Sequence, residues 1–324
     1  MRLKRNAKEI RRRCYLQSLE EGKIRTTTEA WSETRRGQAK PKAAAGQDNK
    51  KTEKNKEENR EAAVEKDVDE LRKAIDAGDK DKIVDILAKH CDEKSKLQQL
   101  KDKYKEKHDQ DLLEAVKPVL EEEQLQDAVE SLLMESASYD AKILYNAMKG
   151  LGTDEDVLME ILCSRNNAEL AKLKRHTQHV MYGRSLEKDI KRDTSGHFED
   201  LLVEISKGKR DESSKVDKSL AKKDAEALMQ AGYLGTDEDK FIQVFTQRSF
   251  THLKVVFQEY KKVCNQEMDE CIEEEMSQDL EKGFLTLVKY TRDPSKFYAA
   301  KTAEIFTRWR YRHSCPRYSH QYNG

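Results

Sequence analysis

The hexapeptide Leu-Gly-Thr-Asp-Glu-Asp occurs twice in this chain, unchanged, at Leu151–Asp156 and again at Leu234–Asp239. The stretches downstream of the two copies also match: DVLMEILCSRNNAELAKLKRHTQHVMYGRSLEKDI runs parallel to DKFIQVFTQRSFTHLKVVFQEYKKVCNQEMDECI, with apolar residues at like positions and Arg165 answering Arg248. A third, degenerate copy opens at Asp69 with DELRKAIDAGDKDKIVDILAKHCDEKSKLQQLKDKYKEKHDQDLLEAV. Self-similarity at a period of roughly 70–80 residues is the mark of a repeat architecture, in which each unit buries its apolar face against others. The chain must therefore fold as an array of about three related units.

Within a repeat the periodicity is helical. Ile143, Leu144, Ala147 and Met148 form one stripe, and Gly150 then ends that helix. Thr153 with Asp156 three residues on reads as a capping pair for the next helix, whose buried face is Val157, Leu158, Ile161 and Leu162. Further stripes through 170–181, 186–191 and 198–205 bring the expectation to about five short helices per repeat, an all-α bundle. Scarce glycine (13) and proline (4) agree, because a sheet protein with many turns consumes both.

The expected organisation is a basic, unfolded region over 1–66, a degenerate first repeat over 67–136, a second over 137–208 and a third with a preceding linker over 209–300. A basic, aromatic tail over 301–324 completes it. Although 62 acids balance 62 bases, the charge is segregated, with roughly +8 on residues 1–66, about +4 on the tail and about −12 between. Leu3, Ala7, Ile10 and Cys14 recur at helical spacing among the N-terminal arginines and lysines, the pattern of a basic amphipathic helix for a membrane surface or a partner.

The loops carry the chemistry. Glycine closing one helix and Thr-Asp-Glu-Asp opening the next explains a single hexapeptide with no ligand at all. A hard cation demands more, six to eight oxygens, so carbonyls must turn outward and a carboxylate must arrive from elsewhere. Glycines permit the first by tolerating positive φ. For the second, Asp193 follows Gly152 at the head of Asp-Thr-Ser-Gly, and Glu275 follows Gly235 at nearly the same interval, heading Glu-Met-Ser-Gln. The matched spacing favours calcium.

The blocks MKGLGTDED, LEKDIKRDTSGHFEDLL, KRDESSKVDKSLAKKDAEAL and LGTDEDKFIQVFTQRSFTHLKVVFQEY resemble the second and third repeats of the annexins, and residues 67–133 resemble the first. The resemblance implies an annexin-like array of helical repeats that binds Ca2+ and, through it, acidic phospholipid. It implies one site made by the carbonyls of Met148, Gly150 and Gly152 with the Asp193 side chain, and a weaker accessory site at Thr153 and Glu155. In the third repeat the matching positions are Gly232 or Tyr233, Gly235 and Glu275. Tyr233 stands where the first loop glycine is expected, and Gln278 replaces the cap glycine. In the first repeat Asp76-Ala77-Gly78-Asp79 is too short for a site, and the matching cap position, near Val119, holds no acid.

The middle repeat carries one extra residue within RHTQHVMYG, and a fourth repeat is not found after SKFYAAKTAEIF. Its loss is expected to bare an apolar face of the first repeat. The expected role is calcium-dependent, reversible binding to acidic membranes as an organiser or scaffold. The place expected is the cytoplasm, peripheral on plasma or vesicle membranes. The alternative is an adaptor that acts through the basic N-terminal helix, toward a small calcium-binding protein or another partner, with its own calcium sites largely lost. A nucleic-acid role is not favoured, although Trp309, Tyr311, Tyr318 and Tyr322 sit among tail arginines. No P-loop, G-x-S-x-G or H-E-x-x-H pattern suggests an enzyme. The six cysteines form no C-x-x-C pair and are expected as reduced thiols, and His176 with His179 lacks a third zinc ligand.

Overall fold

The computed structural model describes the backbone of residues 48–314 except 91–93, 151, 182, 234–235 and 277. All regular structure among these residues is helical. The chain divides into two compact units, one up to Ser136 and one from Ala137 onward.

In the first unit, α1 (Asp48–Asp76), α2 (Lys80–His90), α3 (Lys94–His108), α4 (Leu112–Val116) and α5 (Glu123–Leu133) surround a core that includes Val68, Leu71, Ile83, Leu87, Leu100 and Tyr104. The α1–α2 connection is a tight turn. Gly78 takes φ 67°, Asp79 N donates to Ala74 O at 2.8 Å, and Asp79 Oδ1 accepts from Lys82 N at 3.0 Å. The turn spends its polar groups on the two helix ends and leaves no open loop between them. The helical stretch 48–66 departs from the expectation of an unfolded region there: α1 begins within the charged segment and runs on to supply Val64 and Val68 to the core. The bare apolar face does not appear either. Among the described residues of this unit no large apolar side chain is exposed, and α1 packs along both α2 and α3. The N-terminal stretch around Leu3 to Cys14 lies outside the described residues.

The second unit holds two successive sets of five helices. The first set is α6 (Ser136–Ala147), α7 (Glu155–Ser164), α8 (Asn167–Arg175), α9 (Leu186–Asp193) and α10 (Gly196–Ser206). The second is α11 (Lys218–Tyr233), α12 (Glu238–Gln247), α13 (Phe250–Cys264), α14 (Met268–Glu275) and α15 (Gln278–Arg292). Both sets share one continuous apolar core, from Leu144, Leu158 and Leu162 through Leu201 and Leu202 to Phe241, Phe245 and Phe284. Phe284 meets Phe241 and Phe245 edge to face, with the Phe245 and Phe284 ring centres 5.0 Å apart. A glycine allows a close helix approach: a Cβ on Gly283 of α15 would stand 3.0 Å from Leu201 Cδ2 on α10.

The extra residue of the middle repeat is absorbed as a π-helical turn over His176–Met181, the ordinary way a helix accommodates a one-residue insertion. The linker after α10 is irregular but anchored. Asn167 Nδ2 donates to Arg210 O at 2.7 Å, Asp211 N donates to Gln247 O at 2.9 Å, and the Arg210 guanidinium lies 4.2 Å over the Phe250 ring. Burial pushes that guanidinium down to about 10.

Arg165 and Arg248 also have a matching job. Each grips an aspartate on the preceding long helix with two bonds, Arg165 to Asp140 at 2.5 and 2.7 Å and Arg248 to Asp224 at 2.7 and 2.9 Å. Finally α16 (Pro294–Ser314) continues beyond residue 300, so the first part of the basic, aromatic tail is helical. It sets Phe297 and Tyr298 edge-on against Tyr290 at 5.7 and 6.2 Å. Trp309 and Tyr311 lie on its backbone, and Tyr318 and Tyr322 lie outside the described residues. No helix among the described residues is long and apolar enough to cross a membrane.

Candidate functional site

The middle loop joins α6 to α7. Gly150 and Gly152 hold φ of 108° and 90°, a region that a side-chain-bearing residue enters only with strain. Asp154 N donates back to Ala147 O at 2.9 Å and closes the loop across its neck. Among the described residues no backbone N–H donates to the carbonyls of Met148, Gly150 or Gly152. Positive φ at the two glycines turns the peptide groups of the loop away from their helical course.

The cap on α7 differs from the sequence expectation. Asp154 is the N-cap, its side chain accepting from Val157 N at 3.1 Å, and Glu155 opens the first turn. This releases Thr153 for another bond: its hydroxyl donates to the carbonyl of Asp193 at 3.0 Å. Asp193 is the last residue of α9, where carbonyls lack intrahelical donors, so a hydroxyl from a loop forty positions away both satisfies that group and fixes the helix end beside the loop. Asp193 and the glycine loop are therefore neighbours.

The third repeat repeats this arrangement. Asp237 caps α12 by accepting from Lys240 N at 3.1 Å, and the Thr236 hydroxyl lies 3.2 Å from Glu275 O and 2.8 Å from Glu275 Oε2. The loop itself differs. α11 continues through Gly232 to Tyr233, and the neck bond shifts, with Asp237 N donating to Ala231 O at 3.0 Å. Glu275 Cγ and Cδ lie 3.7 Å from where a Cβ on Gly232 would stand, so this acid too reaches its loop. Gly232 and Tyr233 close a helix whose last carbonyls have no intrahelical donors, while Gly235 lies outside the described residues. Gln278 takes φ 55° at the position where Gly196 takes φ 62°.

In each repeat a loop threonine thus ties the end of a helix that closes on a distant acid, Asp193 or Glu275, to its loop, and carboxylate and carbonyl oxygens are the type calcium prefers. Sequence reading missed two features. Arg192 grips both oxygens of Asp193, Nε to Oδ1 at 3.0 Å and Nη2 to Oδ2 at 2.7 Å; the adjacent basic residue in KRDTSG was the available signal. Beneath it Asp189, almost fully buried, is paired with Arg184 at 2.8 Å and Arg192 at 3.2 Å. A separate exposed grouping places His197 3.8–3.9 Å from Asp200, Glu238 and Asp239, a solvated charge cluster at two helix starts.

These loops and the helices around them have counterparts. Residues 139–205 and 223–287 each match the Annexin family model. Annexin A13 of Mus musculus is 42% identical over 219 residues, 67% of this chain and 68% of that one. Annexin A1 isoform p37 of Columba livia is 41% identical over 239 residues, 72% of this chain and 68% of that one. Among solved structures, annexin III superposes with a TM-score of 0.70 at 33% identity, covering 74% of this chain and 75% of its own. Chicken annexin V does so with 0.63 at 35% identity, covering 74% and 76%. Likeness at this level runs through both five-helix sets and the loops they carry, and the chain belongs to the annexin family.

Proposed function

We propose that this protein binds acidic phospholipid surfaces in a calcium-dependent and reversible way, docking peripherally and organising membrane or partners there. The observation that supports the reading is the hydroxyl bond from Thr153 to the Asp193 carbonyl, which ties the end of α9 to the glycine loop. In the middle site Met148, Gly150 and Gly152 would contribute backbone oxygens and Asp193 its carboxylate, with Thr153 and Glu155 at the accessory position. In the third repeat Gly232, Tyr233 and Gly235 would offer carbonyls and Glu275 the acid. A bound Ca2+ supplies positive charge that lipid phosphate can share.

Neutral carbonyls plus one carboxylate make a charge-poor cradle, so affinity for calcium alone should be weak, on the order of 10⁻⁴–10⁻³ M. Anionic phosphates add the missing charge, and reciprocity requires that lipid strengthen ion binding as much as ion strengthens lipid binding. The cradle also answers a repulsion problem. With about −12 on its central part, the protein would otherwise be pushed away from an acidic leaflet. The chain's work is then to hold oxygens outward and one acid in place, a binding role with no catalytic step.

The test is sedimentation with phosphatidylserine vesicles, with and without calcium, on the full chain and on Asp193→Ala. Calcium-dependent pelleting that weakens markedly in the variant is expected. Pelleting indifferent to calcium, or equal in the variant, overturns the reading for the middle loop.

A further inference from the structure

The middle loop contains its own rival for calcium. Arg192 places two nitrogens on the two carboxylate oxygens of Asp193, at 3.0 and 2.7 Å, the forked geometry that makes guanidinium–carboxylate pairs strong. Those oxygens are the charged donors that the middle cradle would offer besides the accessory Glu155. A divalent ion cannot share them with a guanidinium in the same plane, because like charges would meet across one carboxylate. The Asp193 side chain is only 18% exposed whereas Arg192 is 49% exposed. The acid is thus largely buried, while its partner, which also bonds Asp189 Oδ1 at 3.2 Å, stays half exposed to solvent.

The third repeat provides an internal control. Aligned on the two eight-residue helices α9 and α14, Arg192 corresponds to Glu274 and Asp193 to Glu275. There the ligand acid is held by a neutral hydroxyl, Thr236 Oγ1 at 2.8 Å, and its neighbour is another acid, bonded by Gln266 Nε2 at 2.8 Å. The last turn of α14 carries no base, and its glutamates sit at the helix end that favours cations. One position thus holds opposite charges at the ends of two corresponding helices.

We infer that Arg192 is a competing cation built into the middle loop, which holds the Asp193 carboxylate in the ion-free state and raises the calcium concentration at which that loop fills. The inference rests on the calcium-binding reading of that loop. A plainer role, complementing the C-terminal dipole of α9 with charge alone, predicts that Arg192→Lys binds calcium as the natural protein does and is separable by experiment. Removal of Arg192 leaves Asp189 paired with Arg184 at 2.8 Å, so the helix end keeps its buried ion pair in the variant.

The experiment is calorimetric titration of the full chain with calcium alone, comparing the natural protein with Arg192→Gln, Arg192→Lys, Asp193→Asn and the Arg192→Gln/Asp193→Asn double variant. Circular dichroism verifies that each is folded. Arg192→Gln is expected to bind calcium about three- to tenfold more tightly at one site, the range that a partly buried, forked pair supports. Arg192→Lys, which keeps the charge and loses the fork, should fall between. The double variant should match Asp193→Asn. The calcium midpoint for pelleting with phosphatidylserine vesicles should move the same way. If Asp193→Asn weakens calcium binding but Arg192→Gln leaves it unchanged or weaker, the competitor is refuted while the site stands. If Asp193→Asn has no effect, the site itself fails.

Discussion

Replacing Thr153 by valine removes one hydroxyl and keeps the shape of the side chain. That hydroxyl donates to the Asp193 carbonyl at 3.0 Å, in a half-buried setting. A bond of this kind contributes a net 0.5–1.5 kcal/mol, so about 1 kcal/mol is the expected loss. In a folded unit of ~150–250 residues this lowers the melting temperature by about 2–4 °C. The larger effect is on the cradle. If the bond is what holds α9 to the loop, the same ~1 kcal/mol is lost from ion binding, raising the calcium midpoint roughly fivefold. Thermal melts by circular dichroism and vesicle pelleting across a calcium series measure the two. Thr153→Ser retains the donor and should stay near the natural protein in both. A valine variant that matches the natural midpoint, while Asp193→Ala does not, would refute the strut.

Three further perturbations test the geometry. Asp224→Asn leaves the Arg248 guanidinium and His252 without their shared carboxylate, at 2.7 and 3.2 Å respectively, and should destabilise by about 3 kcal/mol in urea unfolding. Gln278→Gly relieves a left-handed residue at φ 55° and should stabilise by about 0.5–1 kcal/mol, the strain less the added freedom of glycine in the unfolded chain. Arg292 bonds both oxygens of Asp269 at 2.7 and 2.9 Å and holds its carboxyl below the ordinary 3.8. That acid's contribution is complete above pH 3.8 and is lost as pH falls through the lowered value, so Asp269→Asn should show a shallower loss of stability in acid unfolding curves.

Much of this was readable from one chain because duplication prints a pattern twice. The hexapeptide, the paired arginines Arg165 and Arg248, and the distant acids Asp193 and Glu275 each stood out by recurrence. The insertion within RHTQHVMYG was visible as a broken alignment and proved to be a π-helical turn. The roles inside the hexapeptide were not legible. Threonine and aspartate are both good caps, and only tertiary position decided that Asp154 caps α7 while Thr153 reaches to α9. Arg192 was hidden for a similar reason. A basic residue at a helix C-terminus is ordinary by composition, and its grip on Asp193 depends on rotamers that spacing does not encode. The reach of α1 back to Asp48 and of α16 on to Ser314 was missed because their charged sequences resemble solvated coil as much as exposed helix.

The common interior of the two five-helix sets separates the unit of ancestry from the unit of melting. A duplicated segment was copied as a piece, yet Leu201 of one copy abuts Gly283 of the other, and Tyr290 donates from the later copy to Ser164 O of the earlier at 3.3 Å. Neither half can shed its partner without baring leucines and phenylalanines to water. Scission anywhere between Ser206 and Lys218 would therefore leave two fragments that stay clasped, and a disturbance at one glycine loop has a mechanical route into the other through shared side chains rather than along the polypeptide.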